Sequence, residues 1–358
     1  VRGVTLADEP IGRRKTVPVI YVTGSHYDVG YDVGRTFSCL IKSFIASYAN
    51  LRGFEREYKT EAGRAAYDAT LANMNDKFPY YVKEIQGVAD GANVPFYQLF
   101  LLQMDDLIDT VNDNHIPRND TGGCSSILLH NDRNTVLGHT EDAFAETLNH
   151  FYIMSAHIIP TPEDREKGAT EERFSSLCYA GHMPGYTMGF NENGLVFSIN
   201  TLSPYALKYG NTRNLMMKLE HTLYFDTKRL VWVKHDSQRS TLHNSVEIIF
   251  KMCVFKTYLR INIKEVIGAI IDSSEARMKA INSHPPPRSR DDVADLISDT
   301  TGTDFQVFQN KPDTVIKTIA AGIFDLERRT WSIYINKPNA SEPVAVLPIR
   351  FSAIDTCY

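Results

Sequence analysis

At 358 residues the chain can bury a large core, as one big domain or two smaller ones. Its 43% hydrophobic and 23% charged content is that of a globular protein, and a net charge of −5 offers no basic footprint, which excludes nucleic acid as a partner. No apolar run approaches the roughly 20 residues a spanning helix needs, so no membrane partner is expected either.

In chain order, Val17–Val22 is a β-branched run that predicts a strand. It leads into Gly24-Ser25-His26-Tyr27 and glycines at 30 and 34, which lack a dinucleotide or phosphate-loop pattern and instead suit a helix start packed on a strand. From Thr36 to Asn75 the apolar spacing is helical, with Phe37, Leu40, Ile41, Phe44, Ile45 and Tyr48 on one stripe. Helices are also predicted over Tyr80–Ala92 and Phe96–Asp106, and a polar loop over Asp109–Asp120. After Gly123 the texture changes to short strands: Ser125–Leu129, Thr135–Leu137, Tyr152–Ile159, Phe174–Ala180, Tyr186–Phe190 and Leu195–Ile199. Asn191-Glu192-Asn193-Gly194 makes a hairpin turn between the last two. A short helix at Asp291–Ile297 precedes a second hairpin, Val315–Phe324 and Thr330–Ile335. Helices followed by antiparallel hairpins predict an α+β layered protein. The stretch from 211 to 267 has no glycine, mixes apolar and basic residues without period, and fits none of this.

The cysteines (Cys39, Cys124, Cys178, Cys253 and Cys357) are scattered, odd in number and form no C-x-x-C pair. Neither a structural metal nor a disulfide framework is expected, and reduced thiols point to a cytoplasmic protein. Cys124 stands apart because it follows Gly122-Gly123 and opens an apolar strand, while a turn at Asn131–Asn134 returns the chain to Gly138-His139-Thr140-Glu141-Asp142. If the Gly123–Cys124 bond is cut, one residue carries both a thiol nucleophile and an α-amine whose pKa of about 7.7–8.0 suits a base near neutrality. A buried structural thiol is the alternative from the dipeptide alone. For His182 a loop role and a pocket role stand equal, as do a turn cap and a substrate contact for Asn200.

A longer ordered set of motifs resembles the N-terminal-nucleophile (Ntn) hydrolases of the penicillin acyltransferase, or peptidase C45, type. It comprises Gly24-Ser25-His26-Tyr27, the helix from Val82 to Gly91, Gly123-Cys124-Ser125-Ser126 and Gly138-His139-Thr140-Glu141-Asp142-Ala143. It continues through Leu177–Met188, Asn193–Thr201 and Ile319–Leu326, covering most of residues 20–210 and 270–348. The resemblance implies a four-layer αββα sandwich and a chain that cuts itself before Cys124. The helix-rich 1–123 and the nucleophile-bearing 124–358 would then remain partners in one domain. It implies Cys124 as nucleophile, Asp142 as the residue orienting it, and Gly123 as a strained position before the cut. Ser125, His139, Glu141, His182 and Asn200 are candidates around them. The implied activity is release of β-alanine from small N-β-alanyl biogenic amines such as β-alanyl-dopamine or β-alanyl-histamine (carcinine), with no cofactor and no metal. Transfer of the acyl group to an amine is the alternative, and a homo-oligomer stays open. Two departures accompany the resemblance. Residues 216–263 do not match, so core strands expected there, one bearing an oxyanion-hole asparagine, are missing; an inactive or mis-spliced product is the reading this supports. Phe305-Gln306-Val307-Phe308-Gln309 stands where relatives have an arginine-bearing strand.

Overall fold

The structure, a computed structural model, describes residues 12–104, 123–200, 241–242, 268–302, 305–312 and 314–350. Strand β1 (Val19–Gly24) runs into α1 (His26–Thr36), whose start is closed by a capping box between Ser25 and Asp28. The single helical tract expected from Thr36 to Asn75 is three helices, α2 (Ser38–Ser47), α3 (Ala49–Tyr58) and α4 (Glu61–Lys77). The breaks fall at Tyr48, which is extended, and at Thr60, whose hydroxyl caps Gly63 N–H. Helices α5 (Pro79–Ala92) and α6 (Phe96–Gln103) complete this half, with Pro79 opening α5 and Asn93 closing it in the left-handed region.

The second half supplies β2 (Ser125–His130), β3 (Thr135–Phe144), β4 (Phe151–Ile158), the short α7 (Pro162–Glu166), β5 (Glu172–Tyr179), β6 (Met188–Asn191) and β7 (Val196–Ser198). Then come β8 (Thr241–Leu242), α8 (Gly268–Asn282), α9 (Arg290–Ile297), β9 (Ile316–Asp325), β10 (Thr330–Tyr334) and β11 (Ala345–Pro348). β3 is ten residues long, not the three expected, because its polar far end His139–Asp142 stays paired to β9. Phe305–Gln309 is bent rather than a strand, and most of 216–263 lies outside the described residues. Within that segment Thr241–Leu242 adds an edge strand to β2.

One sheet has the order β1-β4-β5-β6-β7 and the other β11-β10-β9-β3-β2-β8. β1 is parallel to β4 over six residue pairs, Val19↔Ile153 to Gly24↔Ile158, while the other described pairings are antiparallel. Three apolar cores separate the layers. The first joins α1–α6 to β4 and β5, the second lies between the sheets around Trp331, Phe324, Leu177 and Met188, and the third joins β2, β3 and β9 to α9. Alternation along each strand sends successive side chains into different cores. The result is a mixed α+β sandwich. No helix among the described residues is long and apolar enough to cross a membrane.

The recurrent glycines serve helix packing. A Cβ on Gly30 of α1 would lie 2.1 Å from the Glu84 carbonyl oxygen of α5, and one on Gly87 of α5 would lie 2.3 Å from the Tyr27 carbonyl oxygen. Backbone meets backbone here, so no side chain can move aside. Gly30→Ala is expected to destabilise the fold by about 1–3 kcal/mol, read as a lower urea midpoint. An unchanged midpoint would show that α1 and α5 part freely. Beside this contact His26 is buried with Nδ1 2.7 Å from Glu84 Oε2, Tyr81 donates to Glu172 Oε1 at 3.1 Å, and Lys83 donates to Asp164 at 2.7 Å. Burial pulls the His26 pKa down, yet the Glu84 bond and the field of Glu172 leave it raised. The Tyr81–Glu172 and Lys83–Asp164 bonds tie residues before 123 to residues after it.

Candidate active site

Cys124 sits at the mouth of β2, buried. Its Sγ accepts a hydrogen bond from Asp142 N–H at 3.3 Å and lies 3.8 Å from the Asp142 carbonyl oxygen. This contact exists because β2 and β3 pair as Ser125↔Thr140 and Ser126↔His139; one step further, Cys124 falls opposite Glu141. A register shift in β3 against β9 between Glu141 and Asp142 then turns the Asp142 backbone toward the sulfur. Burial first, then the charges of Glu141 and Asp142, push the Cys124 thiol well above its ordinary value. The uncut chain therefore holds it as a protonated thiol.

Asp142 is a buried carboxylate with two partners from distant elements. Thr318 of β9 donates to Oδ1 at 2.5 Å, and Arg277 of α8 brings Nη2 to 2.9 Å from Oδ2. Arg277 also places Nη1 3.4 Å from Ser125 Oγ, so one guanidinium spans the residue after the nucleophile and the aspartate. Burial raises the Asp142 pKa to about 6 despite the pull of Arg277 and Thr318. Thr318 is itself held by Gln309, whose N–H donates to its hydroxyl at 2.7 Å. The 305–309 segment thus props up Thr318, and Arg277 on a helix provides the guanidinium beside Asp142.

A second network fills the face that Cys124 shares with Ser126, His139 and Glu141. Asn200 Nδ2 donates to the Cys124 carbonyl at 3.3 Å, while its Oδ1 accepts from Ser126 Oγ at 2.9 Å. Ser126 Oγ also meets His139 Nδ1 and Ser198 Oγ, each at 2.9 Å. His139 Nε2 lies 3.0 Å from Glu141 Oε2, and Tyr179 donates to Glu141 Oε1. Asn200 is thus a brace on the nucleophile's backbone, not a turn cap.

His182 stands further back among aromatic rings, with Tyr179 and Phe44 packed on it edge-on or tilted and Tyr186 stacked. Burial lowers it to about 4, so it stays neutral. Sequence reasoning missed Arg277, Thr318 and Tyr179, although Tyr179 lies inside the matching motif Leu177–Met188 and Arg277 inside the 270–348 stretch that the resemblance covers. Gly123 corrects an expectation. Among the described glycines positive φ falls on 24, 168, 181, 185 and 194 and not on Gly123, and nothing lies within 4 Å of a Cβ built there. Gly123→Ala is accordingly expected to change stability by no more than about 0.5 kcal/mol, checked by thermal melting.

Known proteins match the chain in sequence. A family model for acyl-coenzyme A:6-aminopenicillanic acid acyl-transferase matches residues 129–219. The chain is 38% identical over 388 aligned residues to the β-alanyl-dopamine/carcinine hydrolase of Drosophila melanogaster, covering 95% of this chain and 98% of that one. By that nearly full-length identity, the chain belongs to the acyl-coenzyme A:6-aminopenicillanic acid acyl-transferase family with the fly hydrolase.

Proposed function

We propose that the chain is a self-cleaving cysteine amide hydrolase of the Ntn type that releases β-alanine from N-β-alanyl biogenic amines. The observation that carries this is the identity with the fly hydrolase across nearly the whole of both chains. The two facing sheets with helices outside them fit an αββα sandwich. In the uncut chain the Cys124 thiol attacks the Gly123 carbonyl carbon. The C–N bond breaks as the thioester forms, the nitrogen takes the thiol proton, and water hydrolyses the thioester. The new α-amine then serves as base. It takes the thiol proton as Sγ attacks the substrate amide and returns it to the leaving amine, after which water frees β-alanine from the thioester. Asp142, held by Arg277 and Thr318, positions the sulfur through its backbone N–H. Fragments 1–123 and 124–358 stay together because β1 remains paired to β4 and α1–α6 remain packed on β4 and β5. Free thiols at Cys39, Cys124 and Cys178 fit a reducing, cytoplasmic setting.

Incubation with β-alanyl-dopamine and with carcinine, followed by chromatographic assay of β-alanine, tests the reading. No release from either substrate by a cleaved protein would end it. The family's description favours a second reading, acyl transfer to an amine, in which an amine in place of water attacks the thioester. A competing amine that captures the β-alanyl group in preference to water would establish it.

A further inference from the structure

We propose that Cys124, His139 and Glu141 form a zinc site whose occupation shuts off the nucleophile reversibly. One Sγ, one imidazole nitrogen and one carboxylate oxygen from these buried residues all lie within 4.8 Å of one another. Tetrahedral zinc, with bonds of about 2.0–2.3 Å, spaces its ligands by about 3.3–3.8 Å, so small rotamer changes bring all three onto one ion. Thiolate, imidazole and carboxylate are zinc's usual ligand types.

The surrounding hydrogen bonds present the histidine in the ligating form. Asn200 is oriented by its Nδ2 bond to the Cys124 carbonyl, so its Oδ1 must receive the Ser126 hydroxyl proton. Ser126 Oγ can then only accept from His139, which assigns the proton to Nδ1. In the neutral ring Nε2 is left as a lone pair 3.0 Å from Glu141 Oε2. Two acceptors that close need a cation between them, a proton or a metal ion. Each ligand also has an outer support of the kind metal ligands use: Ser126 on His139, Tyr179 on Glu141, and Asp142 N–H on Cys124. Binding exchanges two protons for the metal, the Cys124 thiol proton and the one held between His139 Nε2 and Glu141 Oε2, both leaving to solvent with no redox change. The fourth ligand rests on the self-cleavage reading: the α-amine freed at Cys124 closes a five-membered ring with Sγ on the same ion.

Cobalt(II) is the direct probe, titrated into the purified full-length protein with its cleavage state read by intact mass. The expected result is one equivalent bound, with sulfur-to-cobalt charge transfer and the visible bands of a tetrahedral ion. Zinc should displace the cobalt and inhibit β-alanine release, with activity restored by a chelator. His139→Ala and Glu141→Gln are each expected to weaken zinc binding at least about 10-fold. Ser126→Ala, which spares the three ligands, should weaken it about 10-fold or more through the outer shell. A wild-type protein without the sulfur-to-cobalt band overturns the site, as do folded His139 and Glu141 variants that bind as tightly as wild type. The band in an uncut chain supports the three-residue site and removes the amine ligand along with the cleavage reading. A cut, hydrolytic protein without the band overturns the zinc site alone.

Discussion

Cys124→Ala is expected to yield a single uncut chain of 40.5 kDa with no measurable amide hydrolysis, where the wild type gives two fragments divided before Cys124. Both losses follow from one atom, since the sulfur that attacks Gly123 is the sulfur that later attacks substrate. Removing the nucleophile of a comparable covalent mechanism lowers kcat by about 10⁶-fold. Intact mass spectrometry separates the two roles. An uncut wild-type chain would remove the self-activation mechanism, and a cut Cys124→Ala protein would move the cleavage chemistry to another residue. The variant should keep its fold, because the thiol contributes only a small buried volume and one sulfur hydrogen bond from Asp142 N–H.

Arg277→Met is expected to produce the largest loss of stability, about 3–5 kcal/mol, because it strands the Asp142 carboxylate in the interior. Arg277 is buried, reaches Asp142 at 2.9 Å and also touches Ser125, so Arg277→Lys cannot span the same two partners. Asp142→Asn combined with Arg277→Met should recover part of the loss, since removing both charges removes the unpaired one. Urea unfolding of the two single variants and the double variant measures this. A loss below about 1 kcal/mol for Arg277→Met would show that the pair is not what holds Asp142.

The same aspartate sets a pH dependence of unusual sign. Its folded pKa, raised by burial to about 6, lies above the ordinary 3.8, so the folded state holds a proton that the unfolded state has released. The contribution of Asp142 to stability is therefore complete below about pH 4 and is lost as pH rises to about 6. Asp142→Asn should flatten that window in stability measured against pH. Activity that depends on the ionised carboxylate should rise through the same range.

The second sheet shows how far reasoning along the chain reaches. The apolar run after Gly123 and the turn at Asn131–Asn134 mark β2 and β3 because strand alternation and turn chemistry are local properties. The pairing Ser126↔His139 follows from that turn and already brings Cys124 and Asp142 together, eighteen residues apart. The helical stripe from Phe37 to Tyr48 was equally visible, but its breaks were not, because Tyr48 and Thr60 stop helices through backbone geometry and a cap that apolar periodicity does not register.

What the chain determined by itself was therefore the local chemistry: a cysteine at a strand mouth, an aspartate delivered by the next strand, and alternating faces that feed separate cores. What only the tertiary structure decided was the company those residues keep. Arg277 is 152 positions from Ser125, and Thr318 is 176 from Asp142; no spacing rule connects them. Tyr179 reaches Glu141 from the opposite sheet, and Asn200 braces Cys124 from beyond β7. The physical reason is burial. A carboxylate or thiol taken out of water must find its partners wherever the packed layers bring donors close, and those layers form only when the whole chain has folded.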